Sequence, residues 1–279
     1  MANYQTYKKI NGTEAILGNS VGPGQVTGVS TGIAHQFMIW NCCWWDVSNG
    51  GCCLAWTVPA LTSTVRFELQ AGGGTGSIGT CCSNGPAGGA GSYASKTLHQ
   101  YKGDFVPGST TYTLCAAGTS QCSCCGQCQN CLCCGRRGCT SYVTGGSNLN
   151  NFCTEGGAWG WHQCSGGCYT CTSSWQCCVC IHTCSRYFGA DFGFAGVNGG
   201  RQQNQYCMGS DWAVTGGGVG PWSAPSHKGV DNCSHGNVHG CCKGHSLFPG
   251  GGGMSPFTDG GCCWGGFGAG GLVVVSYWQ

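Results

Sequence analysis

Glycine at every third position is the feature that most limits what this chain can fold into. In AGGGTGSIGTCCSNGPAGGAG, Ala71 to Gly91, the residues Gly73, Gly76, Gly79, Gly85, Gly88 and Gly91 share one three-residue register, broken only at Cys82. The spacing returns at Gly193, Gly196 and Gly199, and again at Gly265, Gly268 and Gly271. A polyproline II helix has three residues per turn and no internal hydrogen bonds, so such a row leaves one face bare. Bare faces let neighbouring helices approach and pair their backbone N–H and C=O groups, as buried backbone requires. Flexible glycine loops are the alternative, since ordering glycine costs entropy. Recurrence in several clusters favours packed helices. Two short segments are expected at Gly72–Gly79 and Gly85–Gly91, reversing around Asn84, Gly85 and Pro86, with Cys81 and Cys82 tying the reversal down.

The segments between the glycine clusters read as strands. Val65, Phe67 and Leu69 alternate with Thr64, Arg66 and Glu68, the pattern of a half-buried strand. Further strands are expected at Glu14–Leu17, His35–Trp40, Tyr93–His99, Thr110–Cys115 and Leu272–Trp278, the last a β-branched run. No window carries a helical stripe, and glycine at this density opposes helix. The expected class is all-β with irregular glycine-rich structure: an antiparallel framework plus packed polyproline II segments, dense in disulfides. Residues 1–40 contain no cysteine and read as an attachment segment. Residues 41–279 form the Gly/Cys-rich β domain, with a cysteine-rich insert at 115–207 and a glycine-rich layer with its closing strand at 208–279.

Composition narrows the function classes. Only 7% of residues are charged and the net charge is +2, leaving no basic stripe of the kind that neutralises nucleic-acid phosphates. No apolar run approaches the ~20 residues of a membrane helix. Eleven Trp, ten Tyr and ten Phe argue against a disordered chain, which is poor in aromatics. The first eighteen residues lack a signal-peptide core, so synthesis in a cytoplasm is expected.

Four blocks in order carry a family resemblance: TVPALTSTVRFELQAGGG (Thr57–Gly74), GGAGSYASKTL (Gly88–Leu98), VPGSTTYTLCAAG (Val106–Gly118) and GGFGAGGLVVVSYW (Gly265–Trp278). Together they resemble the glycine-rich domain of phage tail fibres, tail-tip adhesins and related virion proteins. The resemblance implies a virion protein without catalytic residues that turns variable loops toward a host surface. It further implies contacts with other tail or fibre proteins through residues 1–40, a host cell-surface glycan or protein as partner, and a homo-oligomer. Neither nucleic acid nor membrane insertion is expected. Assembly in a host cytoplasm followed by lysis would take a cysteine-rich chain outside without a signal peptide. The abundance of cysteine and the insert depart from the family pattern.

The chain has 29 Cys. Doublets stand at Cys42 and Cys43, Cys52 and Cys53, Cys81 and Cys82, Cys124 and Cys125, Cys133 and Cys134, Cys177 and Cys178, Cys241 and Cys242, and Cys262 and Cys263. Disulfides would staple glycine loops that bury little apolar area, each contributing about 2–4 kcal/mol. The alternative is metal: zinc or an iron–sulfur cluster through the Cys122–Cys139 run, or a site at His235, His239, Cys241, Cys242 and His245, whose imidazoles and thiolates suit transition metals. Scatter over the whole glycine-rich region favours staples, and an odd count leaves at least one cysteine free, metal-bound or paired between chains. No carboxylate pair suggests glycoside hydrolysis. Trp159, Trp161, Tyr169, Trp175, Trp212 and Trp222 are candidate host-contact rings, since aromatics on loops give large contact area at little entropy cost; capping of the glycine layers is their alternative role. Two functions compete with the virion adhesin: a disulfide-crosslinked subunit of an extracellular filament or capsid decoration, and a metal-binding protein.

Overall fold

The computed structural model describes residues 34–40, 51–76, 87–118, 137–147, 149, 151–160, 185–197, 199, 220–222, 246, 249–253 and 266–279. Ten strands follow one another: β1 (Ala34–Trp40), β2 (Cys52–Thr57), β3 (Thr64–Gln70), β4 (Tyr93–His99), β5 (Thr111–Ala116), β6 (Ser141–Gly145), β7 (Phe152–Thr154), β8 (Tyr187–Phe188), β9 (Phe192–Phe194) and β10 (Leu272–Trp278). They form two antiparallel five-stranded sheets, ordered β1-β10-β3-β4-β9 and β2-β5-β6-β7-β8. A single 3₁₀ turn, Gln100–Lys102, is the helical element among the described residues, and none of their helices is long and apolar enough to cross a membrane. The all-β expectation holds.

Strand alternation builds the core directly. Val65, Phe67 and Leu69 of β3, Val273 and Val275 of β10, and Ala94 and Leu98 of β4 face Tyr112, Leu114 and Ala116 of β5, Val143 of β6 and Phe152 of β7 in one buried cluster. The sheets therefore pack face to face as a sandwich. Phe67 meets Tyr112 edge-on with centroids 5.2 Å apart, and Trp56 of β2 closes over both. On one side the sandwich is closed by the short link Gly189–Asp191, which carries the chain from β8 in one sheet to β9 in the other. Two boundaries differ from the sequence reading. Ala34–Trp40, placed there with the attachment segment, pairs along its whole length with β10. The insert 115–207 supplies β6 to β9, so it contributes to both sheets.

Strands β3, β5, β7 and β9 run into glycine-rich segments at one end of the sandwich, and β4, β6 and β10 emerge from such segments at that same end. In the segment 71–76, successive N–H groups point to different neighbours: Gly72 donates to Cys139, Gly73 to Ala269 and Gly74 to Gly89, and Gly76 returns to the 266–269 segment at Gly266. The next segment repeats the pattern. Gly88 and Gly91 donate to Gly253 and Gly250, while Gly89 and Ser92 donate to Ala158 and Glu155. Partners that recur every third residue define a threefold screw, as in polyproline II. The register read from sequence lies on a crowded face: a Cβ at Gly73, Gly88, Gly91, Gly196, Gly199, Gly268 or Gly271 would collide with neighbouring atoms, and so would one at Gly74, one residue off that register. Segment 71–76 is central, bonded to segments around 89–92, 139, 157–160, 253 and 266–269. The expected reversal at residues 84–86 and the strand at 14–17 lie outside the described residues.

Where twofold pleat gives way to threefold screw, backbone groups lose their strand partners and buried side chains replace them. Ser141 Oγ donates to the Gln70 carbonyl at 2.8 Å and accepts from Ala117 N–H at 2.9 Å. Gln70 Nε2 donates to the Gly91 carbonyl at 2.7 Å, and Ser92 Oγ to that of Arg186 at 2.7 Å. Each is a polar group buried at a cost that only a hydrogen bond offsets.

Candidate functional site

The sandwich and lattice give the molecule two unlike poles. Ala34 opens β1 opposite Trp278, beside Thr64 and His99, so the N-terminal stretch joins at the sandwich end. At the other pole, residues 77–86, 119–136, 161–184, 200–219 and 254–265 each begin where a lattice segment ends. Most of the cysteine doublets fall in these intervals. A backbone-bonded lattice is a rigid base for whatever those intervals form, and rigid supports for variable loops are the usual architecture of binding proteins.

Of the expected host-contact rings, Trp159 and Trp222 are described and exposed, at 37% and 39%; Trp161, Tyr169, Trp175 and Trp212 lie outside the described residues. A second aromatic surface stands at the closed edge of the sandwich. Phe194 stacks on Tyr93 at 5.0 Å, Phe192 meets Phe194 edge-on at 6.0 Å, and both Phe rings are exposed. Gly193 between them has no room for a side chain because the Tyr93 carbonyl and the Tyr187 ring lie against it. Tyr187 and Phe188 on β8, and Val197 beyond β9, are also exposed. Asp191 anchors the edge to β4, accepting from Thr97 N–H at 2.7 Å and pairing with Lys96 at 3.6 Å. Beneath it Tyr93 donates to Glu68, which also takes Arg66 at 3.0 Å. Burial, then the hydrogen bond to Glu68, pushes the Tyr93 phenol above its usual range, so it stays a donor. Rings held this way suit apolar contact with a ligand or protein, rimmed by fixed charges. The signal was present in sequence as Phe-Gly-Phe, since alternation with a bare central residue puts both rings on one strand face.

Cysteine chemistry is partly visible. Cys53 and Cys115 form a disulfide across β2 and β5, at directly opposed positions with Cα atoms 4.2 Å apart. Cys52 next to it is an exposed thiol, and Cys153 is a half-buried thiol on β7, raised by burial and then by Glu155. Cys139 is half-buried and its carbonyl takes the Gly72 N–H. Cys42, Cys43, Cys81, Cys82, Cys122, Cys124, Cys125, Cys133, Cys134, Cys177, Cys178, Cys241, Cys242, Cys262 and Cys263 lie outside the described residues, as do His235, His239 and His245. Among the described residues no three His, Cys, Asp or Glu side chains gather to hold a metal ion. No protein-family model matches the chain, and no curated protein matches it.

Proposed function

We propose that this chain is a non-enzymatic virion protein of a phage tail fibre, tail tip or similar surface appendage, and that it takes part in host attachment. One observation carries the reading: β1 begins at the sandwich pole, whereas the described glycine-lattice segments lie at the other pole and border the long cysteine-rich intervals in sequence. In the particle, the sandwich pole faces other tail or fibre proteins. The lattice pole and the aromatic edge face a cell-surface glycan or protein. Adsorption decides it. Purified protein should compete with particles for host cells, and particles lacking it should adsorb at least tenfold more slowly; unchanged adsorption in both assays would refute the attachment role.

A second reading, a crosslinked subunit of an extracellular filament or capsid decoration, is favoured by the exposed Cys52 thiol beside an existing disulfide. Regular polymers that dissociate only on reduction would select it. Two or more equivalents of bound zinc or iron per chain would select metal binding instead.

A further inference from the structure

The two sides of the sandwich end differently. One is closed by the link Gly189–Asp191. On the other, β1 and β2 end their sheets, and no described strand lies beyond either. The core is thinly covered there. Phe37, Ile39, Trp56 and Tyr277 pack on it but stay half-buried, with the Trp56 ring 5.7 Å from both Phe37 and Tyr277. Leu54 shares the inward face of β2, opposite buried Leu114, and is 42% exposed.

Hydrogen-bond phase shows which backbone groups of β2 are left over. Val58 N–H donates to the Thr110 carbonyl at 2.9 Å, one step beyond the Thr57–Thr111 pair. Bonded and non-bonded pairs alternate along an antiparallel ladder, so Cys52, Leu54 and Trp56 bond to β5. Cys53, Ala55 and Thr57, all exposed, turn their N–H and C=O groups the other way. The Cys53–Cys115 Cα separation of 4.2 Å fits this phase, since non-bonded pairs stand about 4.5 Å apart and bonded pairs about 5.5 Å. Three donors and three acceptors therefore line the free edge, without partners among the described residues.

Edge strands are usually blunted by a charge, a proline or a bulge. β2, CCLAWT, has no charge and no proline, and its register with β5 is unbroken. We propose that this edge receives an extended segment of a different protein, which adds a sixth strand to the β2-β5-β6-β7-β8 sheet. The chemistry of the edge selects the occupant. A row of N–H and C=O groups at strand spacing is matched in full by another extended backbone, which supplies the affinity, while alternate side chains supply the specificity. Here the inward side chains of the added strand must be apolar, to cover Leu54 and Trp56, and the neutral edge offers a charged segment no counter-charge. The inference is independent of the attachment reading and is tested on the purified full chain.

The probe is a synthetic peptide alternating valine and threonine, compared with the same peptide methylated at every backbone nitrogen. An excess of the first should slow hydrogen exchange at Cys53, Ala55 and Thr57 by roughly tenfold or more; the methylated peptide, with identical side chains and no N–H donors, should not. Ala55→Pro removes the central outward N–H and no bond to β5, a change that edge strands tolerate. It should leave the thermal unfolding midpoint unchanged and weaken peptide binding by roughly tenfold or more. The proposal is overturned if the unmethylated peptide leaves the three amides unprotected, if the methylated peptide protects them equally, or if Ala55→Pro binds as well as the unmodified chain. It is also overturned if the same amides become protected in the chain alone as its concentration rises, which would make a second copy the occupant.

Discussion

Replacing Gly74 by alanine places one methyl group at the centre of the lattice. Gly74 donates to the Gly89 carbonyl at 2.9 Å and accepts from Gly253 N–H at 2.8 Å. Its φ is not in the left-handed region, so alanine suits the backbone and only space forbids it. The new Cβ would collide with the Ala158 carbonyl and lie 2.8 Å from that of Gly157. Ala158 cannot retreat freely, because its carbonyl holds Gly89 N–H at 2.8 Å. Overpacking costs about 1–3 kcal/mol, and loosening one buried backbone hydrogen bond about 1–3 kcal/mol more. Stiffening of the unfolded chain returns about 0.4–1 kcal/mol. The net loss is about 1–5 kcal/mol, or ~2–10 °C in Tm for a chain of this size. Gly89→Ala is the matched control. Its Cβ would meet Ala158 N at 3.4 Å, an ordinary contact, so the change should stay within about 1 kcal/mol and lean toward stabilisation. Urea unfolding of both variants under oxidising conditions, followed by tryptophan fluorescence, measures the difference. Equal midpoints for the two would refute the claim that backbone packing, rather than loop entropy, demands these glycines.

Three further outcomes follow from single sites. Reduction, or Cys53→Ser, should cost up to about 4 kcal/mol by the chain-entropy estimate for a bridge spanning 62 residues; a Tm insensitive to reductant would contradict this. Burial, and then the Asp104 charge, pushes the Tyr112 phenol up to about 12, above its unfolded value. The folded state holds that proton more tightly, so its contribution is intact below pH 10 and is lost as pH rises from 10 to about 12. Phenolate absorbance should show a late tyrosine titrating around pH 12, and Tyr112→Phe should remove it. Leu61 has φ 68° and is 83% exposed, so Leu61→Gly should raise stability by up to about 1 kcal/mol; a loss would mean that its side chain makes contacts despite its exposure.

Legibility in the sequence tracked the length of each periodic signal. β1, β3, β4, β5 and β10 read correctly to within a residue; β3 shows three inward residues in strict alternation and β10 an unbroken β-branched run, whereas β4 sends only Ala94 and Leu98 into the core. β2 went unread: in CCLAWT only Trp56 packs on the core, and a cysteine doublet masks the pattern. β7, β8 and β9 are two or three residues long, too short for any period, and exist because a neighbouring strand supplies their partners. Register is the information missing at such places. The Cys53–Cys115 bridge needs β2 to lie on β5 in one alignment, and nothing in either doublet or spacing states that alignment. The glycine rows behave in the opposite way. Their period of three survives without tertiary knowledge because it records a steric constraint at every turn, visible where Gly88 and Gly91 are crowded while Ala87 and Ala90, one step round the screw, carry methyl groups. Glycine density alone would have suggested a linker. Its phase relative to alanine identifies a packed lattice, and the same test, alanine tolerated on one phase and refused on the next, separates the two for any segment of this kind.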